Sequence, residues 1–266
     1  MVTNLITENA SNTFLIGRNL EISNIIETLL RVEKPNVIIT GEPGVGKTAL
    51  INHLAYLIAN DLVPEELKGY SLSEINLNDL LAGDGYRGVF EKKVQDLLVS
   101  ATNKGKVILF MDEFHVAESL GKMQNGQTPG LGNSLKPYLT RGDIRIIGAT
   151  TNDEYNEMTD KALLRRFRRI IIGEPNEEAC NQIIQKCLER YNTRKIKVSD
   201  SKIVEKIFRT TMQIDGFNPD KITDITDIMF AKTRMNNVEL LDAATVDLYL
   251  KQIVESKANQ GSMMKL

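Results

Sequence analysis

Between two apolar stretches the chain carries Gly41-Glu42-Pro43-Gly44-Val45-Gly46-Lys47-Thr48, the spacing G-x-x-x-x-G-K-[ST]. No other feature restricts the fold as much, because the pattern requires a strand that runs into a glycine-rich turn and then at once into a helix. Asn36 to Thr40, with Val37, Ile38 and Ile39 apolar in succession, precede it, and Ala49 to Ala55 follow with apolar residues at helical spacing. In that context the glycines let backbone N–H groups close around a phosphate, and the start of the helix adds its partial positive charge. Glu42, Pro43, Gly44, Val45, Gly46, Lys47, Thr48 and Ala49 are the expected nucleotide-binding residues. Lys47 would reach the β- and γ-phosphates of ATP, and Thr48 would place its hydroxyl on Mg²⁺.

The most apolar run, Val107-Ile108-Leu109-Phe110-Met111, ends on Asp112-Glu113. A buried central strand delivers such carboxylates at its C-terminal tip, where open α/β sheets bind ligands. Asp112 is expected to hold Mg²⁺ through its water shell and Glu113 to polarise the attacking water. A further strand, Arg145 to Ala149, finishes in Thr150-Thr151, a polar tip suited to orienting water against a γ-phosphate. Lys161 to Arg169 carries five basic residues in nine and leads into a fifth short strand, Ile170 to Ile172. Three readings stay open for it: a solvated basic face, a patch for a nucleic-acid backbone, or an arginine finger offered to a neighbouring subunit.

The pattern elsewhere predicts a helix in which Ile22, Ile25, Ile26, Leu29 and Leu30 share a face, a strand over 70–75, a short helix over 77–81 and a long helix from Val89 to about Thr102. Three glycines in the six residues Gly83 to Gly88 predict a mobile loop around Tyr86, and a second Gly- and Gln-containing loop is expected from Gly121 to Gly132, before a helix over 134–140. Gly173-Glu174-Pro175 reads as a hinge. Beyond it come helical stretches near 176–190, 199–213, 221–234 and 238–256 with no strand pattern, and a tail from Ala258 that should fray. The expected architecture is therefore an α/β domain, 1–173, whose parallel five-stranded sheet lies between helices after a leader, 1–13, followed by a small all-helical domain, 174–266.

A net charge of −2 gives no global pull towards nucleic acid or an anionic membrane. The N-terminus lacks the basic start and apolar run of a secretory signal, and no apolar stretch is long enough to span a bilayer, so the expected setting is cytoplasmic and soluble. Cys180 and Cys187, seven apart on one expected helix face, read as two reduced, partly buried thiols, and no metal or thiol-nucleophile spacing accompanies them.

Taken together, the order Ile16-Gly17-Arg18, Gly41 to Thr48, Tyr86-Arg87-Gly88, Ile108 to Glu113 with Phe114-His115, Gly148 to Thr151 with Asp153-Glu154-Tyr155, Arg165-Arg166-Phe167 and Pro219-Asp220-Lys221 resembles one family. It is that of the AAA+ P-loop NTPases, in particular the first nucleotide-binding domain of the Clp-type ring unfoldases and disaggregases ClpA, ClpB and ClpC, from about Phe14 to about Ala244. The resemblance implies that Ile16 and Gly17 line an adenine pocket, that Thr151 senses the γ-phosphate, and that Arg165 and Arg166 reach the next subunit's ATP. It makes Tyr86, with Arg87, a pore loop gripping a threaded polypeptide. Ile183, Cys187, Pro219 and Lys221 would close the nucleotide pocket from a helical lid domain. Gly85 and Val89 stand where family pore loops carry a basic residue and an acid, so substrate grip should differ.

What the resemblance implies for function is a Mg²⁺-dependent ATPase that assembles as a homo-oligomeric ring, a hexamer, and moves a protein substrate by its Tyr86 loops. One ATPase module is present and the peptidase-docking loop belongs to a second, so docking of a ClpP-type peptidase is not expected. An ATP-dependent loader on nucleic acid, using Arg165 to Arg169, and a nucleotide-gated scaffold are the rival expectations.

Overall fold

The structure, a computed structural model, describes residues 2–4, 15–76, 87–119, 131–141, 144–192 and 196–263. They divide into two compact units, Met1–Glu42 with Lys47–Ile172, and Pro43–Gly46 with Gly173–Leu266.

In chain order the first unit runs β1 (Val2–Asn4), α1 (Asn19–Leu29), β2 (Val37–Thr40), α2 (Lys47–Ala59), β3 (Ser71–Ile75), α3 (Arg87–Lys104), β4 (Val107–Met111), α4 (Val116–Ser119), α5 (Leu131–Arg141), β5 (Arg145–Thr150), α6 (Asn152–Glu157), α7 (Lys161–Leu164) and β6 (Arg168–Ile171). Its six strands lie in the order β1-β3-β4-β5-β2-β6. All neighbours pair in parallel except β1, which runs antiparallel on β3. The five parallel strands are those expected from the sequence. The sixth corrects one expectation: residues 2–4 of the supposed leader pair with Ser73 to Ile75 and lengthen the sheet.

Every residue of β2 and of β4 is buried, which explains their unbroken apolar runs, since parallel strands are covered on both faces. Ile38, Leu109, Met111 and Ile146 pack on one side with Val94 and Leu98 of α3 and Leu135 and Leu139 of α5. Ile39, Ile108 and Phe110 alternate out of that cluster and are just as buried. The register pairs Thr40 with Thr150 and Met111 with Gly148. Gly41, Asp112 and Thr151 therefore leave the sheet at the same edge.

The second unit contains α8 (Glu177–Asn192), α9 (Ile203–Thr211), α10 (Asp220–Met235) and α11 (Ala243–Met263), around a core that includes Ile184, Ile207, Ile225 and Phe230. Two corrections apply here. Lys197–Val198 (β7) and Leu240–Leu241 (β8) form a small parallel pair, too short to show alternation in a sequence. And α11 continues to Met263, into the tail expected to fray from Ala258, with Lys257 just before that tail tied to Asp224 of α10 at 2.7 Å.

The expected helix over 77–81, the Tyr86 loop and most of the loop from Gly121 lie outside the described residues. The helix expected from Ser134 begins earlier, at Leu131.

Candidate functional site

The phosphate loop starts where β2 stops. Gly44 and Gly46 hold φ of +83° and +97°, values that other residues adopt only with strain. Lys47 opens α2 and its Nζ donates to the carbonyl oxygens of Gly41 at 2.8 Å and Glu42 at 3.1 Å, so the ammonium lies over the mouth of the loop. Val45 is buried, whereas Thr48 and Ala49 are exposed on the first turn of α2. The N–H groups of such a turn lack intrahelical partners and favour an anion. These groups fit a phosphate chain, and the oxygens of Thr48 and Asp112 are the donor type that suits Mg²⁺.

At the tip of β4, Asp112 accepts a hydrogen bond from the Glu113 N–H at 2.9 Å, and Glu113 takes a φ of +51°. Beyond it the Phe114 N–H donates to the Ala149 carbonyl at 2.8 Å, which seats the acid tip against β5. Gly148 is required there: a Cβ at this position would stand 2.6 Å from Cγ of Phe114.

Thr151 is the N-cap of α6. Its hydroxyl accepts from the Glu154 N–H at 3.2 Å while the Glu154 carboxylate accepts from the Thr151 N–H at 2.9 Å, a capping box. Burial pushes the Glu154 carboxyl up, but the Thr151 N–H, the Thr150 and Thr151 side chains and His115 outweigh it and hold it below the usual carboxylate range. The T-x-x-E spacing is the sequence signal for this box.

Asn152, which the sequence reading did not single out, and Arg169, read only as part of the basic segment, tie the phosphate loop to this tip. Asn152 donates to the Glu42 carboxylate at 2.9 Å and accepts from Arg169 at 3.1 Å. Arg169 also donates to the Thr40 hydroxyl at 2.9 Å, with its guanidinium 4.1 Å above the Tyr155 ring. Arg168 is occupied too, by Glu27 at 3.1 Å. Two of the five basic residues in the Lys161–Arg169 segment thus serve the fold.

Arg165 and Arg166 sit elsewhere. They form the turn between α7 and β6, and the Arg166 carbonyl accepts from the Asn36 side chain at 3.2 Å, just before β2 begins. Because β6 runs parallel to β2, this turn lies at the sheet edge opposite the phosphate loop, Glu113 and Thr151. β2 spans four residues, about 13 Å of extended chain. Arg165 is exposed there, and Arg166 donates to the Ala162 carbonyl.

Ile16 is half-buried, and Gly17, exposed with φ +71°, turns the chain into α1. In the second unit, Ile183 and Cys187 lie on α8, Pro219 is the N-cap of α10 and Lys221 is in its first turn. Burial pushes the Cys187 thiol up, against a hydrogen bond with Thr226 and the charge of Arg190, and so disfavours the thiolate. Cys180 and Cys187 are both buried and unbridged. Arg87 opens α3, while Tyr86 precedes it outside the described residues.

A parallel sheet whose phosphate loop, acid tip and threonine tip share one edge defines a phosphate-loop nucleotide-binding fold. Residues 37–174, just over half of the chain, match the family described as ATPase family associated with various cellular activities (AAA). The chain belongs to that family. It is 41% identical over 239 residues to the chaperone protein ClpB of Tropheryma whipplei (strain TW08/27), covering 88% of this chain and 34% of that protein. The Saccharomyces cerevisiae Hsp104–ADP complex superposes with a TM-score of 0.80 at 30% identity, over 97% of this chain and 45% of the other. A closed-state Hsp104 with ATPγS and FITC casein gives 0.83 at 30% identity, over 96% and 45%. The chain spans about a third of that curated relative's length and under half of the solved chains.

No described helix is long and apolar enough to cross a membrane.

Proposed function

We propose that this chain is the ATP-hydrolysing module of a Clp-like ring, completed only where two copies meet, which acts on protein substrates. Ile16, Gly17, Glu42 to Ala49 and Asp112 bind the nucleotide, with Ile183, Pro219 and Lys221 contributed by a lid domain, 174–266, that follows the large domain, 1–173. Lys47 neutralises phosphate charge and Thr48 and Asp112 hold Mg²⁺, which when bound supplies further neutralisation. Glu113 polarises water, and Thr151 orients it against the γ-phosphate.

One observation carries the reading. Arg165 and Arg166 stand at the edge of the sheet opposite Glu113 and Lys47, which supports their serving a neighbour's nucleotide rather than their own, in an assembly that this reading takes as a closed ring, a hexamer. The reading sets it in the cytoplasm, and the relatives' names and the casein in one solved complex support a protein substrate threaded by Tyr86 and Arg87. The engagement of Arg168 and Arg169 inside the fold weighs against a nucleic-acid loader.

Mixing tests it. Glu113→Gln keeps an intact finger and Arg165→Ala/Arg166→Ala an intact acid; each alone should lose turnover by about 10³-fold, and the mixture should regain it. A mixture as inactive as its parents counts against the shared site.

A further inference from the structure

Glu113 has an unusual setting for a residue that must aim a carboxylate. Its backbone is left-handed, at φ +51°, and its side chain is 63% exposed, so packing does little to confine it. Among the described residues its carboxylate has one ion-pair partner, Nδ1 of His115 at 3.6 Å.

His115 is held far more tightly than Glu113. The same Nδ1 lies 3.0 Å from the Thr150 hydroxyl oxygen and 3.2 Å from Oε2 of Glu154. The single Thr150 proton is committed, because that hydroxyl donates to Glu154 at 2.8 Å. Thr150 can then only accept from His115, so Nδ1 carries the proton. Glu154 in turn is fixed by the capping box with Thr151. One N–H therefore faces two carboxylates, and the imidazole joins the threonine tip of β5 to the acid tip of β4.

We propose that His115 is a positioning residue: its Nδ1–H, anchored by Thr150 and Glu154, draws the Glu113 carboxylate towards the threonine tip and fixes where the water it polarises will stand. His115 touches neither nucleotide nor water in this role and acts through Glu113. The proposal rests on Glu113 as the group that polarises water, argued above.

The experiment measures ATP turnover, ATP affinity and melting temperature for the full chain and its His115→Phe, His115→Asn and Glu113→Gln variants. Phe keeps a ring of similar bulk without the donor, and Asn places an amide N–H close to where Nδ1–H stood. His115→Phe should lose turnover about tenfold or more, as misplaced catalytic groups do, with affinity within about twofold of wild type. His115→Asn should recover at least half of that loss. A His115→Phe protein that turns over at the wild-type rate while Glu113→Gln is inactive overturns this proposal alone. So does a loss that tracks affinity or melting temperature, or an Asn variant as slow as the Phe one. Full turnover in Glu113→Gln overturns the assignment of the acid, and this proposal with it.

Discussion

The rings of Phe114 and Phe167 meet with centroids 5.0 Å apart and planes tilted by 60°. The residue after Glu113 thus packs on the residue after Arg166, and the acid tip and the Arg165–Arg166 turn, at opposite edges of the sheet, share an aromatic contact. Gly148 makes room for it. Gly148→Ala should drive the Phe114 ring out of place and destabilise the large unit by about 1–3 kcal/mol, as overpacked cores do. Thermal unfolding measures this, and a melting temperature equal to wild type would show that the ring can yield.

Arg169 grips Thr40, Asn152 and the Tyr155 ring at once, and Asn152 passes the grip to Glu42. Arg169→Ala should release the start of the phosphate loop and weaken ATP binding about tenfold or more, since hydrogen bonds to charged groups are worth about 1.5–3 kcal/mol. Arg169→Lys should rescue little, because an ammonium cannot replace a planar fork spanning two acceptors. Titration with a fluorescent ATP analogue decides; tight binding by the Ala variant would make the chain of bonds dispensable.

Asp160 caps α7, the short helix before the Arg165–Arg166 turn, and pairs with Lys136 at 2.7 Å. Burial pushes its carboxyl up, but the Lys136 hydrogen bond and charge and the backbone N–H groups of Leu163 and Ala162 bring it below the ordinary value. A lowered folded value means that the stabilisation is complete above the unfolded value, about 4, and is lost as pH falls through the folded one. Lys136→Met should therefore lower the melting temperature at pH 7, and its difference from wild type should shrink at acid pH. A difference that stays constant from pH 7 to pH 3 would assign Lys136 a role in packing instead.

Tyr86→Ala separates a threading machine from a nucleotide-gated scaffold. Basal ATP turnover should stay within about twofold of wild type, while unfolding of a tagged model substrate should fall at least tenfold if each aromatic supplies the grip through its buried area. Unchanged substrate work would favour the scaffold.

How much of this was legible in the chain depended on the length of the signal. The central strands β2 and β4 declared themselves because burial on both faces leaves an apolar run, as in Val107 to Met111, and the glycine-rich loop because its backbone tolerates few substitutes. The β7–β8 pair, two residues a strand, left no periodicity to read. The basic segment that holds Arg168 and Arg169 left three readings open because nothing in one dimension says which side a guanidinium faces; only the pairing of β6 with β2 brings Arg169 to Thr40. His115 gave no ligand spacing with the cysteines, and its neighbours Thr150 and Glu154 lie 35 and 39 positions away along the chain.

The opposed edges of the sheet have an arithmetic consequence. If each copy offers guanidinium at one rim and needs it at the other, contacts between copies run head to tail, and an open row always leaves one terminal copy waiting for a donor. Closing the circle removes that idle end, so the geometry of a single strand pair already rewards a complete ring over any partial one.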